Sequence, residues 1–553
     1  MVGRFTLPPE AVQLYRVALA HYRKGEYTAA LERVAALAEI DHGWLQRQLL
    51  HSYILRSLGD TPAEMGVLQA LLAMAANMQL SINDQSLVAD AASLLGAACR
   101  RLGYACESVD AFITSAELES SWPAKAVELS NALFAANAIP DFSVAECNDL
   151  YQHYDSLFRG IQTYMDYPWH HDRIRVGYLS HDFRRHAAAQ FMTAFFADRD
   201  RTRFCIYGYQ ANLESDAVTE SFRVQADEWR EIGLLDAEQT ARCIHTDEID
   251  ILVELGGHTE ENRLPVLAWH PARIQLSGIG YMGSTGLSAV DGFLSDCWCV
   301  PQEDADPFFT EPILRLPHSH FCYTPLQPLP RRLESPAVRN GFVTFACFNN
   351  FSKVTDEQLL LWREILTRLP SSRLILKSGH FDHESERQFI AERLQRLALP
   401  LARIECRGLS SRYLEEYGEI DIALDTYPYV GGLTTCEALL CGVPVVSLYG
   451  QRHGTRFGLS FLANIGLKEL AVEIPAEYVE RAVGLAQDTE LLRLLRQQLP
   501  ERMIASPLMD RAGYMRDLEE AFERLYREEE QCAERKYSSM PAAAGKDADI
   551  RSD

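Results

Sequence analysis

The 553-residue chain lacks a bilayer-spanning run: its apolar stretch Gly66–Ala76 is short and alanine-rich against the roughly 20 residues a spanning helix needs. Its opening, MVGRFTLPPE, has no apolar signal region. Positive charge is scarce, with 53 Lys and Arg against 77 Asp and Glu. The resulting net charge of -24 excludes a general nucleic-acid or anionic-membrane surface. The 13 cysteines form no CxxC pair and no regular spacing. Cys99, Cys205, Cys347 and Cys441 sit among apolar neighbours, as reduced core residues of a cytoplasmic protein do. What is abundant is apolar residue, 47% of the chain, enough for the cores of three or four domains.

Strand signals are also missing from the first ~165 residues, which are rich in Ala, Leu and Glu. Turn glycines fall at Gly25, Gly59 and Gly103, and Ala18, Ala30 and Leu37 mark a packing face around the first of them. The first spacing is that of a tetratricopeptide repeat and the second is longer, so degenerate helical hairpins, about three, are expected. An irregular helical domain is the alternative. Either way the region carries no cluster of catalytic groups and reads as an interaction element.

Near Pro168 the pattern changes to strands alternating with helices. Strands are expected at 174–180, 204–209, 249–254 and 273–277, with helices near 187–196, 216–225, 236–245 and 263–269. A proline-dotted stretch, Pro325 to Pro336, follows, and the alternation restarts with strands at 342–348, 373–377, 403–406, 420–424 and 443–448. This predicts an α/β protein with two doubly wound parallel sheets facing a cleft, preceded by an all-α domain. The expected divisions are 1–168 helical, 169–332 and 333–527 for the two lobes, and a polar, disordered tail at 528–553.

Ligands of such sheets bind beyond the carboxyl ends of the strands, so the residues there are the candidates. His186 and His258 follow strands of the first lobe, and Asn350 and Lys353 follow the first strand of the second. The stretch Asp421–Leu448 reads as strand, Gly431-Gly432 turn, helix and strand. Thr434 and Thr435 stand at the helix start, where unpaired N–H groups and the dipole favour a phosphate, and Glu437 is a candidate for a ribose. A capping threonine in an ordinary strand–turn–helix gives the same pattern. For metals, the one DxD candidate near the core, Asp304-Ala305-Asp306, reads as an acidic loop, so no metal site is expected.

The segments RIRVGYLSHDFRRHAAAQF, ELGGHTEENRLPVLAWHPARIQLSGIGYMGSTG, FACFNNFSKVTDEQLLLW, DIALDTYPYVGGLTTCEALLCGVPVV and TRFGLSFLANIGLKEL together resemble the O-GlcNAc transferase family and its plant SPINDLY relatives. SNALFAANAIPDFSVAECNDLY is similar to the helical link of bacterial members, so the resemblance spans roughly residues 130–525. It implies a GT-B glycosyltransferase, inverting and metal-independent, that moves a sugar (GlcNAc from UDP-GlcNAc) to protein Ser or Thr, with no cofactor beyond the donor. It also implies that tetratricopeptide-like helices present the protein acceptor, for which a surface protein or flagellin is a guess. By position, His186 resembles the histidine beside the reacting centre, His258 the second cleft histidine, and Lys353 the lysine on the diphosphate. Thr434 and Thr435 fall on the diphosphate-binding helix start, and Glu437 near the acidic ribose ligand. Asn350 replaces a glutamine of the animal enzymes, Gly432-Leu433 replace a histidine-bearing turn, and Tyr413 stands near a histidine that packs on uracil. Those departures leave GDP-fucose, or UDP-glucose with transfer to asparagine, as alternative donors, and a non-catalytic scaffold as the alternative class.

Overall fold

The computed structural model describes residues 8–40, 44–301, 306–331 and 334–539. Eight helices come first, packed in consecutive pairs: Pro9–Arg23 with Tyr27–Ala38, Leu45–Leu58 with Thr61–Ala75, Ile82–Leu102 with Ala105–Leu118, and Trp122–Ala136 with Val144–Ser156. The expected turn glycines take positive φ, Gly25 at 76°, Gly59 at 73° and Gly103 at 86°, a conformation that penalises any Cβ. The fourth pair has no such glycine at its turn. Its second helix instead starts on a capping box, Ser143 with Glu146, which glycine spacing does not reveal.

The first lobe is a seven-stranded parallel sheet in the order β3-β2-β1-β4-β5-β6-β7. Its strands are β1 (Ile174–Ser180), β2 (Phe204–Gln210), β3 (Glu228–Glu231), β4 (Ile251–Glu254), β5 (Ile274–Ser277), β6 (Gly292–Asp296) and β7 (Ile313–Leu316). The second lobe is a six-stranded sheet, β10-β9-β8-β11-β12-β13. It comprises β8 (Thr344–Cys347), β9 (Arg373–Lys377), β10 (Ile404–Arg407), β11 (Ile422–Leu424), β12 (Val445–Leu448) and β13 (Ala471–Val472). Every pairing is parallel. Central strands such as β4 and β5 are buried along their whole length, which is why they read as apolar runs without alternation. β3, with the sequence EWRE, is an edge strand of mixed polarity and gave no apolar signal.

In each sheet the strand order reverses at the first strand, β1 between β2 and β4, and β8 between β9 and β11. Both switch points open a crevice at the carboxyl end of the sheet. Beyond the second sheet the described chain crosses back. Helix Arg511–Ser539 returns to the first, where Glu523 pairs with Arg203 at 2.6 Å and Tyr514 Oη donates to His320 O at 2.9 Å. The tail expected from Glu528 is therefore helical as far as Ser539; the rest of it lies outside the described residues.

The helical region is docked on both lobes. Asn137 Nδ2 donates to Tyr281 Oη at 2.9 Å in the first. On the second, the buried Glu386 accepts from Thr61 Oγ1 at 2.5 Å and from both Arg101 Nε and Nη2, at 2.5 and 2.8 Å. Because Arg101 and Thr61 complete a buried carboxylate, removing them would leave an uncompensated charge.

Candidate active site

Between the two switch points lies a cleft of about 1080 Å³. His186, Asn350, Lys353 and Gly432 line it, as the strand-end positions predicted. Arg100 and Phe134 of the helical region also line it, which no strand-based reading could find.

The second-lobe wall is built around Asp425, buried at the end of β11. Its Oδ1 accepts from Gly431 N at 2.7 Å, Asn349 Nδ2 at 3.0 Å and Thr426 N at 2.9 Å, while Oδ2 accepts from Ser447 Oγ at 2.8 Å. These bonds fix the glycine turn. A Cβ on Gly431 would come within 2.7 Å of both Thr434 Oγ1 and Thr435 Oγ1, so only glycine fits. Gly432 differs: a Cβ there would meet nothing within 4 Å, because the position opens on the cleft. Helix Leu433–Leu440 starts just beyond it with no side chain capping its N-terminus. The threonine hydroxyls turn inward, Thr434 Oγ1 donating to Asn349 Oδ1 and Thr435 Oγ1 to Gly431 O at 3.2 Å. They brace the turn, and the helix presents uncapped backbone N–H groups, the donors an anion needs.

Lys353 stands beside this helix start. Its Nζ lies 3.7 Å from the centre of the Tyr429 ring and 3.4 Å from Val430 O, without a carboxylate in direct contact. Burial pushes its ammonium down to about 8, against the opposing pull of Asp425. A poorly compensated cation next to unpaired N–H groups is a seat for a phosphate.

Across the cleft, the half-exposed His186 accepts a hydrogen bond at Nδ1 from Ala188 N at 3.3 Å, and the same nitrogen lies 3.1 Å from Asp182 Oδ1 without a hydrogen bond to it. Asp182 is itself buried, and His181 Nε2 lies 3.2 Å from the same oxygen, Oδ1. An exposed imidazole on the cleft wall is placed to act on a group bound there.

Four predicted site residues do not line the cleft: Thr434 and Thr435, whose hydroxyls turn inward, and His258 and Glu437. His258 is 1% exposed and does not line the cleft. Its Nε2 bonds Thr285 O at 2.9 Å, Ser130 Oγ bonds its Nδ1 at 2.7 Å, and Tyr154 and Tyr281 meet its ring edge-on. Burial pushes its pKa down to about 3, so it is a neutral pin between helical region and first sheet, with no nitrogen left for chemistry. Glu437 is 2% exposed, on the second turn of its helix, and accepts from Tyr413 Oη at 2.6 Å and Tyr417 Oη at 3.4 Å. Burial raises it to about 7, and the tyrosine hydroxyls engage one carboxylate oxygen each. Of the acidic DxD stretch only Asp306 is described, and its Oδ1 accepts from Phe308 N at 2.9 Å.

Two parallel doubly wound lobes closing on one cleft, with the last helix returning to the first lobe, define the GT-B glycosyltransferase architecture. The chain belongs to Glycosyl transferase family 41, which matches residues 160–341 and 331–518. The Fis1 C-terminal tetratricopeptide repeat matches residues 12–58, within the first three helices. Among curated relatives, the "Probable UDP-N-acetylglucosamine--peptide N-acetylglucosaminyltransferase SPINDLY" of Solanum lycopersicum is 38% identical over 359 residues, 64% of this chain and 38% of the relative. The protein of the same name from Petunia hybrida is 36% identical over 411 residues, 72% of this chain and 44% of its own length. The chain thus spans about two fifths of the curated relatives it matches. A solved structure of a mutant of the Thermobaculum terrenum O-GlcNAc transferase superposes with a TM-score of 0.79 at 26% identity, covering 96% of this chain and 100% of that one.

Proposed function

We propose that this protein transfers a sugar, with inversion, from a nucleotide diphosphate donor to a serine or threonine hydroxyl of a protein acceptor, with UDP-GlcNAc as the donor. The observation that carries the reading is the pairing of Lys353 with the uncapped start of helix Leu433–Leu440, facing His186 across the cleft. The names of the curated relatives and of the Thermobaculum terrenum structure support the donor and the protein acceptor. The acceptor hydroxyl attacks the anomeric carbon on the face opposite the leaving diphosphate, and the C–O bond to the diphosphate breaks as the new one forms. Charge gathers on the leaving oxygen, where the Lys353 ammonium and the helix N–H groups receive it. His186, beside Asp182, takes the hydroxyl proton. A lysine and a helix terminus meet the electrostatic demand that a divalent cation meets in other transferases, so the proposed transfer runs without added metal. The helical region, docked on both lobes and contributing Arg100 and Phe134 to the cleft, presents the acceptor.

Thermal shift with UDP-, GDP- and TDP-sugars tests the donor, since a ligand that binds only the folded state raises the melting temperature. Stabilisation by UDP-GlcNAc, followed by a mass gain of one N-acetylhexosamine on lysate proteins, is expected. A shift with GDP-sugars alone overturns the donor assignment, and no shift with any of them overturns the transferase reading.

A further inference from the structure

Directly behind the cleft floor, Cys299, His320 and His453 bring one donor atom each to within 4.8 Å of one another. They come from three separate segments, so no sequence spacing announced them. Cys299 and His320 belong to the first lobe, near β6 and after β7, and His453 follows β12 in the second. All three are buried, at 0%, 1% and 1% exposure.

Each imidazole has its Nδ1 engaged. His320 Nδ1 is 2.6 Å from Asp296 Oδ2, and His453 Nδ1 is 3.2 Å from Met282 O. That leaves the Nε2 side of each ring. His453 Nε2 is buried without a hydrogen-bond partner, which is costly for a polar atom in an apolar enclosure. Phe293, Phe309 and Phe457 pack edge-on around that ring. A histidine whose Nδ1–H is held by a carboxylate or a backbone carbonyl, leaving Nε2 for an ion, is the usual arrangement of a metal-ligating histidine. Asp296 is anchored as such an outer partner must be: Trp298 N and Cys299 N donate to its Oδ1 at 2.9 and 2.8 Å, and Ser460 Oγ to its Oδ2 at 2.9 Å.

We propose that Cys299, His320 and His453 bind a thiophilic transition-metal ion, with Zn²⁺ the expected occupant, that pins the two lobes together behind the cleft. On binding, the Cys299 thiol gives its proton to solvent and its sulfur bonds the ion. The thiolate and the Asp296 carboxylate then balance a divalent charge, so the buried site is neutral. Soft sulfur with two imidazoles selects zinc or copper over magnesium or calcium. Enclosed by aromatic rings, the ion touches neither donor nor acceptor, so this role is independent of the metal-free transfer chemistry proposed above.

The test is metal analysis by mass spectrometry of the full chain, expressed with zinc in the medium and freed of any affinity tag. About one zinc or copper per chain is expected, and Co²⁺ incorporated in its place should show thiolate-to-cobalt absorption. Cys299→Ser and His453→Gln should each bring the content below roughly a tenth of an ion, with circular dichroism confirming that the helices remain. A folded wild-type chain holding less than roughly a tenth of an ion, or folded variants holding as much as wild type, overturns the proposal. If both variants fail to fold, the wild-type stoichiometry and the cobalt absorption decide it.

Discussion

Lys353 gives the most exacting prediction, because its depressed pKa makes donor binding pH-dependent with a defined sign. With the ammonium titrating at about 8, nearly all of it is charged at pH 7 and about a tenth at pH 9. A diphosphate binds the charged form, so nucleotide affinity should weaken by roughly tenfold between pH 7 and 9, and binding at pH 8.5 should take up a proton. Isothermal titration with UDP in buffers of different ionisation enthalpy reads both quantities. Lys353→Met should abolish the pH dependence and lower transfer by about 10²–10³, the loss typical of one removed donor at a developing oxyanion. Its stability should not fall, since burial disfavours the ammonium in the folded state and Met removes that cost. A variant that keeps wild-type turnover, or keeps the wild-type pH slope, would refute the placement of the leaving group.

Asp182→Asn should slow transfer by about 10- to 100-fold through His186 while leaving UDP affinity unchanged by calorimetry, a split that lost folding would not produce. Gly431→Ala should destabilise the chain by about 1–3 kcal/mol in urea unfolding and weaken donor binding, whereas Gly432→Ala, with open space around it, should stay within about 0.5 kcal/mol of wild type. His258 is held neutral, its folded pKa of about 3 lying below the unfolded value near 6.5, so its contribution is present above that value and lost as pH falls. Each pH unit below 6.5 should cost about 1.4 kcal/mol through this group, and His258→Gln should flatten the melting curve against pH in that window without altering UDP affinity at neutral pH.

The alternation of apolar runs with helical stretches determined the two parallel sheets, because strands buried on both faces must be apolar throughout. It also determined where the cleft-lining loops fall: His186, Asn350, Lys353 and Gly432 follow from strand ends alone. The turn glycines likewise determined three helical hairpins, since positive φ excludes most other residues. Which polar groups at those loops face the cleft was decided only by packing. A histidine and a glutamate at equally suitable positions, His258 and Glu437, are drawn inward because Ser130, Tyr154, Tyr413 and Tyr417, distant in sequence, complete their hydrogen bonds and enclose them. Thr434 and Thr435 face Asn349 and Gly431 for the same reason, leaving backbone N–H groups where hydroxyls were expected. Arg100 and Phe134 reach the cleft only because Arg101 and Thr61 bury Glu386 and so fix the helical region against the second lobe. Local pattern sets backbone and burial period; the partners that satisfy each buried polar atom come from elsewhere in the chain, and they decide which candidates remain free to act.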